Sequence, residues 1–200
     1  VPTDQLIDYI DWTPFFITWE LHGKYPQILS DDIVGQEATS VFKDAQEMLK
    51  RIANENWITQ KGVIGLFRAN SVNDDIEIYG ENDELLYVQR TLRQQIKKAA
   101  KADNLALSDF IAPKSKGVED YIGGFVVTSG LAIEGKLADF EADHDDYRAI
   151  MLKILADRFA ESFAEHLHSR VRTEFWAYAA DEQTSNEDLI RERYRGIRPA

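Results

Sequence analysis

An imidazole among three carboxylates, Asp143-His144-Asp145-Asp146, is the cluster whose composition best suits a divalent metal ion. The same residues stand where a long helical pattern begins, and acids favour that end of the helix dipole. The position therefore predicts a helix start rather than a metal site. His166 and His168 lie two apart on that helix and point to different sides. A chelating pair needs a spacing of four, so both are expected as surface residues. Asp157 and Glu161 are four apart and share one helix face, turned away from Phe159 and Phe163. They read either as a solvated face, aided by Arg158 and Glu165, or as a carboxylate offered to a cationic or hydroxyl-rich ligand. Asp11, amid Tyr9, Trp12, Phe15 and Phe16, either caps a turn or sets an acid at an aromatic wall. Such a wall suits an ammonium or a sulfonium. Arg198, beside Pro199, carries a guanidinium fit to fork a carboxylate. No Walker motif, nucleophile elbow or Gly-rich phosphate loop accompanies these groups; Gly123-Gly124 falls inside a strand-like run. No catalytic residue is assigned, and no metal.

The elements that must position these residues follow from periodicity. Ile10 to Trp19 is densely aromatic and broken by Pro14, which predicts an irregular or short-helical segment. Val41, Phe42, Ala45, Met48, Leu49 and Ile52 fall on one face of a helix over about Glu37 to Asn54. Val63 to Phe67 is a short apolar run, Asn70 to Asn73 is turn-like, and Asp75 to Tyr79 alternates as a strand does. Leu85 to Arg90 completes a meander, and Arg93 to Lys101 has helical composition. Tyr121 to Thr128 is the best candidate for a buried strand, its paired glycines suggesting a bulge or a close backbone approach. A stripe at 3.6-residue spacing from Tyr147 to Phe175 predicts a helix of some eight turns. A last helix starts at Ser185, with Asp188 completing a capping box, and is closed by Gly196 and Pro199. Strands and helices segregate, so the class is α+β, with no boundary in view that would split the chain.

Composition narrows the function. The chain has 200 residues, 44% of them hydrophobic and 29% charged, as a globular protein with its own core requires. Its net charge of -12 repels phosphate backbones and argues against nucleic acid. The absence of cysteine removes disulfides and thiol chemistry and fits the cytoplasm. Apolar runs are far too short to span a membrane, and Val1-Pro2-Thr3-Asp4 begins nothing like a signal peptide.

Ile10-Asp11-Trp12-Thr13-Pro14-Phe15-Phe16 resembles the opening signature of the activation (reactivation) domain of cobalamin-dependent methionine synthase. The likeness continues through Gly62 to Asn70, Asp74 to Tyr79, Leu92 to Gln95, Asp109 to Lys114 and Asp120 to Phe125. It recurs at His144 to Tyr147, Leu155 to Arg158, Glu187 to Glu192 and Tyr194 to Ala200. The resemblance implies a bent antiparallel sheet flanked by helices, with a long C-terminal helix. It also implies a module that binds S-adenosylmethionine within a larger methyltransferase of methionine biosynthesis. There, one electron from flavodoxin or another reductase and a methyl group from S-adenosylmethionine restore oxidised cobalt(II) cobalamin. Cobalamin is held by a neighbouring domain of the same polypeptide, zinc belongs to another module, and the isolated domain is not expected to turn over homocysteine. Carried over position by position, Asp11, Glu161 and Arg198 become ligand-binding side chains, and Ala200 supplies a backbone position. The family's motif continues to a Gly and a Tyr beyond Ala200. Residues 1–200 are thus expected as a C-terminally truncated domain that binds at least about tenfold more weakly than an extended one. The competing possibility is a docking module for the cobalamin domain or flavodoxin that binds no nucleotide, and a metal-dependent enzyme built on residues 143–146 is a third.

Overall fold

The computed structural model describes residues 1–98 and 102–196. The elements in order are α1 (Asp4–Ile7), α2 (Trp12–Thr18), α3 (Gly35–Glu55), β1 (Thr59–Val72), β2 (Asp75–Tyr79), β3 (Leu85–Arg90), β4 (Asp120–Leu131), α4 (Ile133–Ala142), α5 (Asp146–Arg170) and α6 (Asn186–Ile190). Short 3-10 turns occupy Gln27–Ser30, Leu107–Phe110 and Lys114–Lys116. The strands form one sheet in the order β3-β2-β1-β4, so the class is α+β with an open antiparallel sheet. Two compact units are present, one built from Val1–Gly62 and Val126–Ile197, the other from Val63–Phe125. Because β1 carries the chain out of the first unit and β4 carries it back, no single boundary exists for composition to reveal.

In the first unit, α1, α2, α3 and α4 each pack against α5. The stripe expected on α5 is buried from Met151 through Leu155, Phe159, Phe163 and Leu167 to Val171, while Tyr147, Ile150 and Phe175 stay exposed. Phe163 lies so close to β1 that a Cβ on Gly62 would come within 2.9 Å of its ring, which only glycine allows. Asp145 caps α5, accepting the Arg148 N–H at 2.9 Å, which gives the 143–146 cluster its helix-start role. α3 runs from Gly35 to Glu55 and buries Val41, Ala45, Met48, Leu49 and Ile52.

His166 and His168 are both buried, against the surface position expected. Spacing places them on different sides of α5, but the helix is enclosed on several sides at once. Glu165, assigned to a wet face, is buried for the same reason. The His166 ring meets Tyr9 edge-on at 5.0 Å, and neither ring nitrogen has a hydrogen-bond partner among the described residues. Burial, with Arg170 nearby, holds this imidazole below its ordinary value of 6.5. The unfolded chain then binds a proton more readily than the folded one. Stability is fully present above about pH 6.5 and is expected to fall as pH drops below it. Urea denaturation between about pH 8 and pH 5 checks this: His166→Phe should flatten the profile, and an unchanged slope contradicts it.

In the second unit, β1 and β2 pair antiparallel from Arg68↔Tyr79 to Val72↔Asp75, and β2 pairs with β3. The turn sits at Asn73, whose φ is 56°, rather than over Asn70 to Asn73. Asn70 remains in β1 because its side-chain amide donates to the carbonyls of Ala112 (3.0 Å) and Val118 (2.9 Å). Arg93 to Lys98 is not helical. Arg93 instead forks onto Asp109 at 2.6 and 2.8 Å and reaches Asp74 at 2.6 Å, while the Gln94 N–H donates to the Leu105 carbonyl. These ties outweigh a helix too short to nucleate alone. The remainder of that expected helix, residues 99–101, lies outside the described residues. The Arg93 guanidinium, with the Ala106 N–H, holds the Asp109 carboxyl at about 2.

β4 is a strand as expected, but a largely exposed one, with Val126 at 69%. Nothing lies within 4 Å of a Cβ built on Gly124, so no close approach requires glycine there. α6 ends at Ile190 rather than continuing to Arg195. No helix among the described residues is long and apolar enough to cross a membrane.

Candidate ligand site

Asp11 stands where the chain turns from α1 into α2. Its backbone is extended and its Oδ1 accepts the Thr13 N–H at 2.9 Å, making it the N-cap of α2. Pro14 falls in the first turn, where a missing N–H costs nothing. The helix turns Trp12, Phe15 and Phe16 inward. Trp12 meets Phe42 edge-on at 4.7 Å and Phe15 at 5.2 Å, so the aromatic cluster is chiefly core and only its margin forms a wall. One carboxylate oxygen of Asp11 caps the helix, and the residue also lines a cleft of about 1010 Å³.

That cleft brings Asp8, Asp11 and Glu187 together with Lys24 and Arg191, against the ring of Tyr25. Arg191, the residue after α6, pairs with Glu187 in its first turn at 2.7 Å. α6 is started by Ser185, whose hydroxyl accepts the Asp188 N–H at 3.2 Å and donates to its carboxylate at 2.7 Å. The same hydroxyl holds the Asp188 carboxyl below its usual range. Acids, cations and an aromatic edge around one hollow suit a small ligand that bears both charges and a flat ring. Lys24, Tyr25, Asn186 and Arg191 escaped the sequence analysis, for they are far apart in the chain and no spacing links them. Their one local signal is the capping box that starts α6 just before Asn186.

Glu161 is placed on α5 and is half-exposed, bound to Arg158, whose other branch holds Asp157 at 2.6 Å. It is not among the residues lining the Asp11 cleft. Arg198 and Ala200 lie outside the described residues. Tyr194 and Arg195 are fastened to the turn after α5 by a buried charge pair. After α5 a five-residue π-helical turn, Val171–Phe175, buries Arg172 completely. Arg172 Nε donates to Glu182 Oε2 at 2.7 Å, and its Nη1 lies 2.8 Å from His168 Nδ1. Burial pushes the Glu182 carboxyl up, but the Arg195 N–H and the Arg172 guanidinium outweigh it and hold it below its ordinary value.

Fold and cleft together define a class, an α+β module with a concave cleft lined by acids, cations and an aromatic ring. The chain belongs to the activation-domain family of vitamin B12-dependent methionine synthase, whose family model matches residues 2–200. It is 53% identical, with a TM-score of 0.92 over 100% of its length, to a crystal structure of the MetH reactivation domain bound to AdoHcy. It spans 62% of the length of that solved chain.

Proposed function

We propose that residues 1–200 form the S-adenosylmethionine-binding module that supports reactivation of cobalamin-dependent methionine synthase. The observation that carries this is the similarity, over the whole chain, to a reactivation domain solved with AdoHcy. AdoHcy is S-adenosylmethionine less its methyl group, so a site for one is a site for the donor and its product. That ligand also favours nucleotide binding over a purely docking role. Asp11 is assigned to a cationic or hydroxyl group of the ligand, through the carboxylate oxygen that does not cap α2. Glu161, half-exposed on α5, is assigned as a second acid, Arg198 as the guanidinium for the ligand carboxylate, and Ala200 as a backbone contact. Cobalamin, held by another domain of the same polypeptide, supplies the cobalt that takes up an electron and the methyl group. The electron comes from flavodoxin or another reductase, in the cytoplasm. The module orients the donor and performs no homocysteine chemistry of its own.

Calorimetric titration of S-adenosylmethionine into Asp11→Asn and Glu161→Gln tests the assignment. Asparagine is as good an N-cap as aspartate, so Asp11→Asn should fold normally. Loss of one charged partner is expected to weaken binding by about tenfold to a hundredfold. Unchanged affinity in both variants would remove these residues from the site.

A further inference from the structure

We infer that the second unit carries a ligand site of its own, a cavity at the end of β1 that takes a small uncharged polyol, the chemistry of a monosaccharide or of a ribose. The cavity measures about 650 Å³, lies wholly within that unit and shares no lining residue with the Asp11 cleft. Ser71 and Val72 at the end of β1 line one side, and Ser108 and Asp109 of the Leu107–Phe110 turn line the other, with Ile111 and Pro113 after them. The two sides are bound to each other. The Ser71 N–H donates to the Ala112 carbonyl at 3.0 Å and its hydroxyl to the Ile111 carbonyl at 2.9 Å. The Ala112 N–H in turn donates to Asp120 Oδ2 at 2.7 Å. A hollow held open by such ties is formed before any ligand arrives, so little ordering is left for binding to supply.

The class of ligand follows from which polar groups are already spent. Both Asp109 oxygens are engaged, by the Arg93 fork and by the Ala106 N–H at 2.9 Å. The Lys114 ammonium, at the mouth, donates to Glu77 and stands 5.4 Å from the Tyr79 ring centroid. A charged ligand would therefore give up its hydration without meeting a free counter-charge. Two hydroxyls remain. Ser108 is 2% exposed, and its Oγ has no hydrogen-bond partner among the described residues. Ser71 is 7% exposed and has spent its proton on Ile111, so its oxygen can only accept. One site that both donates and accepts, beside one that only accepts, is matched by ligand hydroxyls, which do both. Val72, Ile111 and Pro113 supply the apolar wall that the carbon face of a sugar ring needs. A buried hydroxyl without a partner costs free energy, and a ligand hydroxyl seated against Ser108 removes that cost.

Saturation-transfer NMR with D-ribose, uridine and ribose 5-phosphate tests this on the unsubstituted protein and on Ser108→Ala, with melting temperature recorded alongside. D-ribose and uridine are expected to bind with a Kd of about a millimolar, as befits ligands so small. Ribose 5-phosphate, which brings a charge, should bind at least about fivefold more weakly than D-ribose. Ser108→Ala should weaken both neutral probes at least about fivefold. The same change should leave the melting temperature level or raise it, because it removes a buried hydroxyl that has no partner. Tighter binding of uridine than of D-ribose would mark a ribonucleoside as the source of the polyol, and equal binding a free sugar. No saturable binding of either neutral probe up to about 50 mM would overturn the inference. Unchanged affinity in folded Ser108→Ala, or tighter binding of the phosphate than of D-ribose, would overturn it as well.

Discussion

Arg172→Met is expected to destabilise the protein by about 3–5 kcal/mol. The guanidinium has no solvent exposure and the Glu182 side chain is 11% exposed, so removing the cation leaves a carboxylate in a dry site with only a backbone N–H for company. The size reflects that stranded charge rather than the worth of the pair. For a chain of this length the loss corresponds to a fall in melting temperature of roughly 6–20 °C. Replacing both partners, Arg172→Met with Glu182→Leu, should restore much of it, because no charge is then left buried. Differential scanning calorimetry of the single and double variants decides the point. A double variant as unstable as the single one would mean that packing around Tyr194, and not the charge, is what Arg172 supplies.

Phe15→Ala is expected to cost a similar amount, about 3–5 kcal/mol, by a different route. Phe15 is fully buried in α2, with Trp12 at 5.2 Å and Phe16 at 5.4 Å. Its loss leaves a cavity among rings too rigid to collapse into it. The contrast with Asp11→Asn is informative, since the two residues are four apart in one motif. One should change stability alone, the other affinity alone. Equal stability of Phe15→Ala and the unsubstituted protein, by urea denaturation, would contradict the packing described here.

Where a signal was local, the sequence carried it well. Asp75 to Tyr79 alternates and is β2, and the α3 stripe is buried at five of its six positions. Ser185 and Asp145 cap the helices they precede, because capping is decided within four residues. The failures share one cause. Arg93 has its partners at residues 74, 104 and 109, and no local propensity shows that they outweigh a helix. His166 and His168 point to opposite sides of α5, yet both are inside, because helices pack around it. Burial on a central helix is set by its neighbours and not by its own period. The same holds at the site. The motif around Asp11 drew attention to the acid, whereas Lys24, Tyr25 and Arg191 join it only through tertiary packing. The buried Arg172–Glu182 pair was invisible for a related reason: the stripe read on α5 continues smoothly through Val171, and nothing in it announces a π-helical turn.

This chain is proposed to hold S-adenosylmethionine at the site that Asp11 helps to form. Direct calorimetric titration of S-adenosylmethionine, followed by displacement with AdoHcy, tests it most plainly. Saturable one-to-one binding is expected, which AdoHcy competes away and which Asp11→Asn weakens by about tenfold or more. Absence of saturable binding for both ligands up to about a millimolar, on a protein shown by its melting transition to be folded, would contradict it.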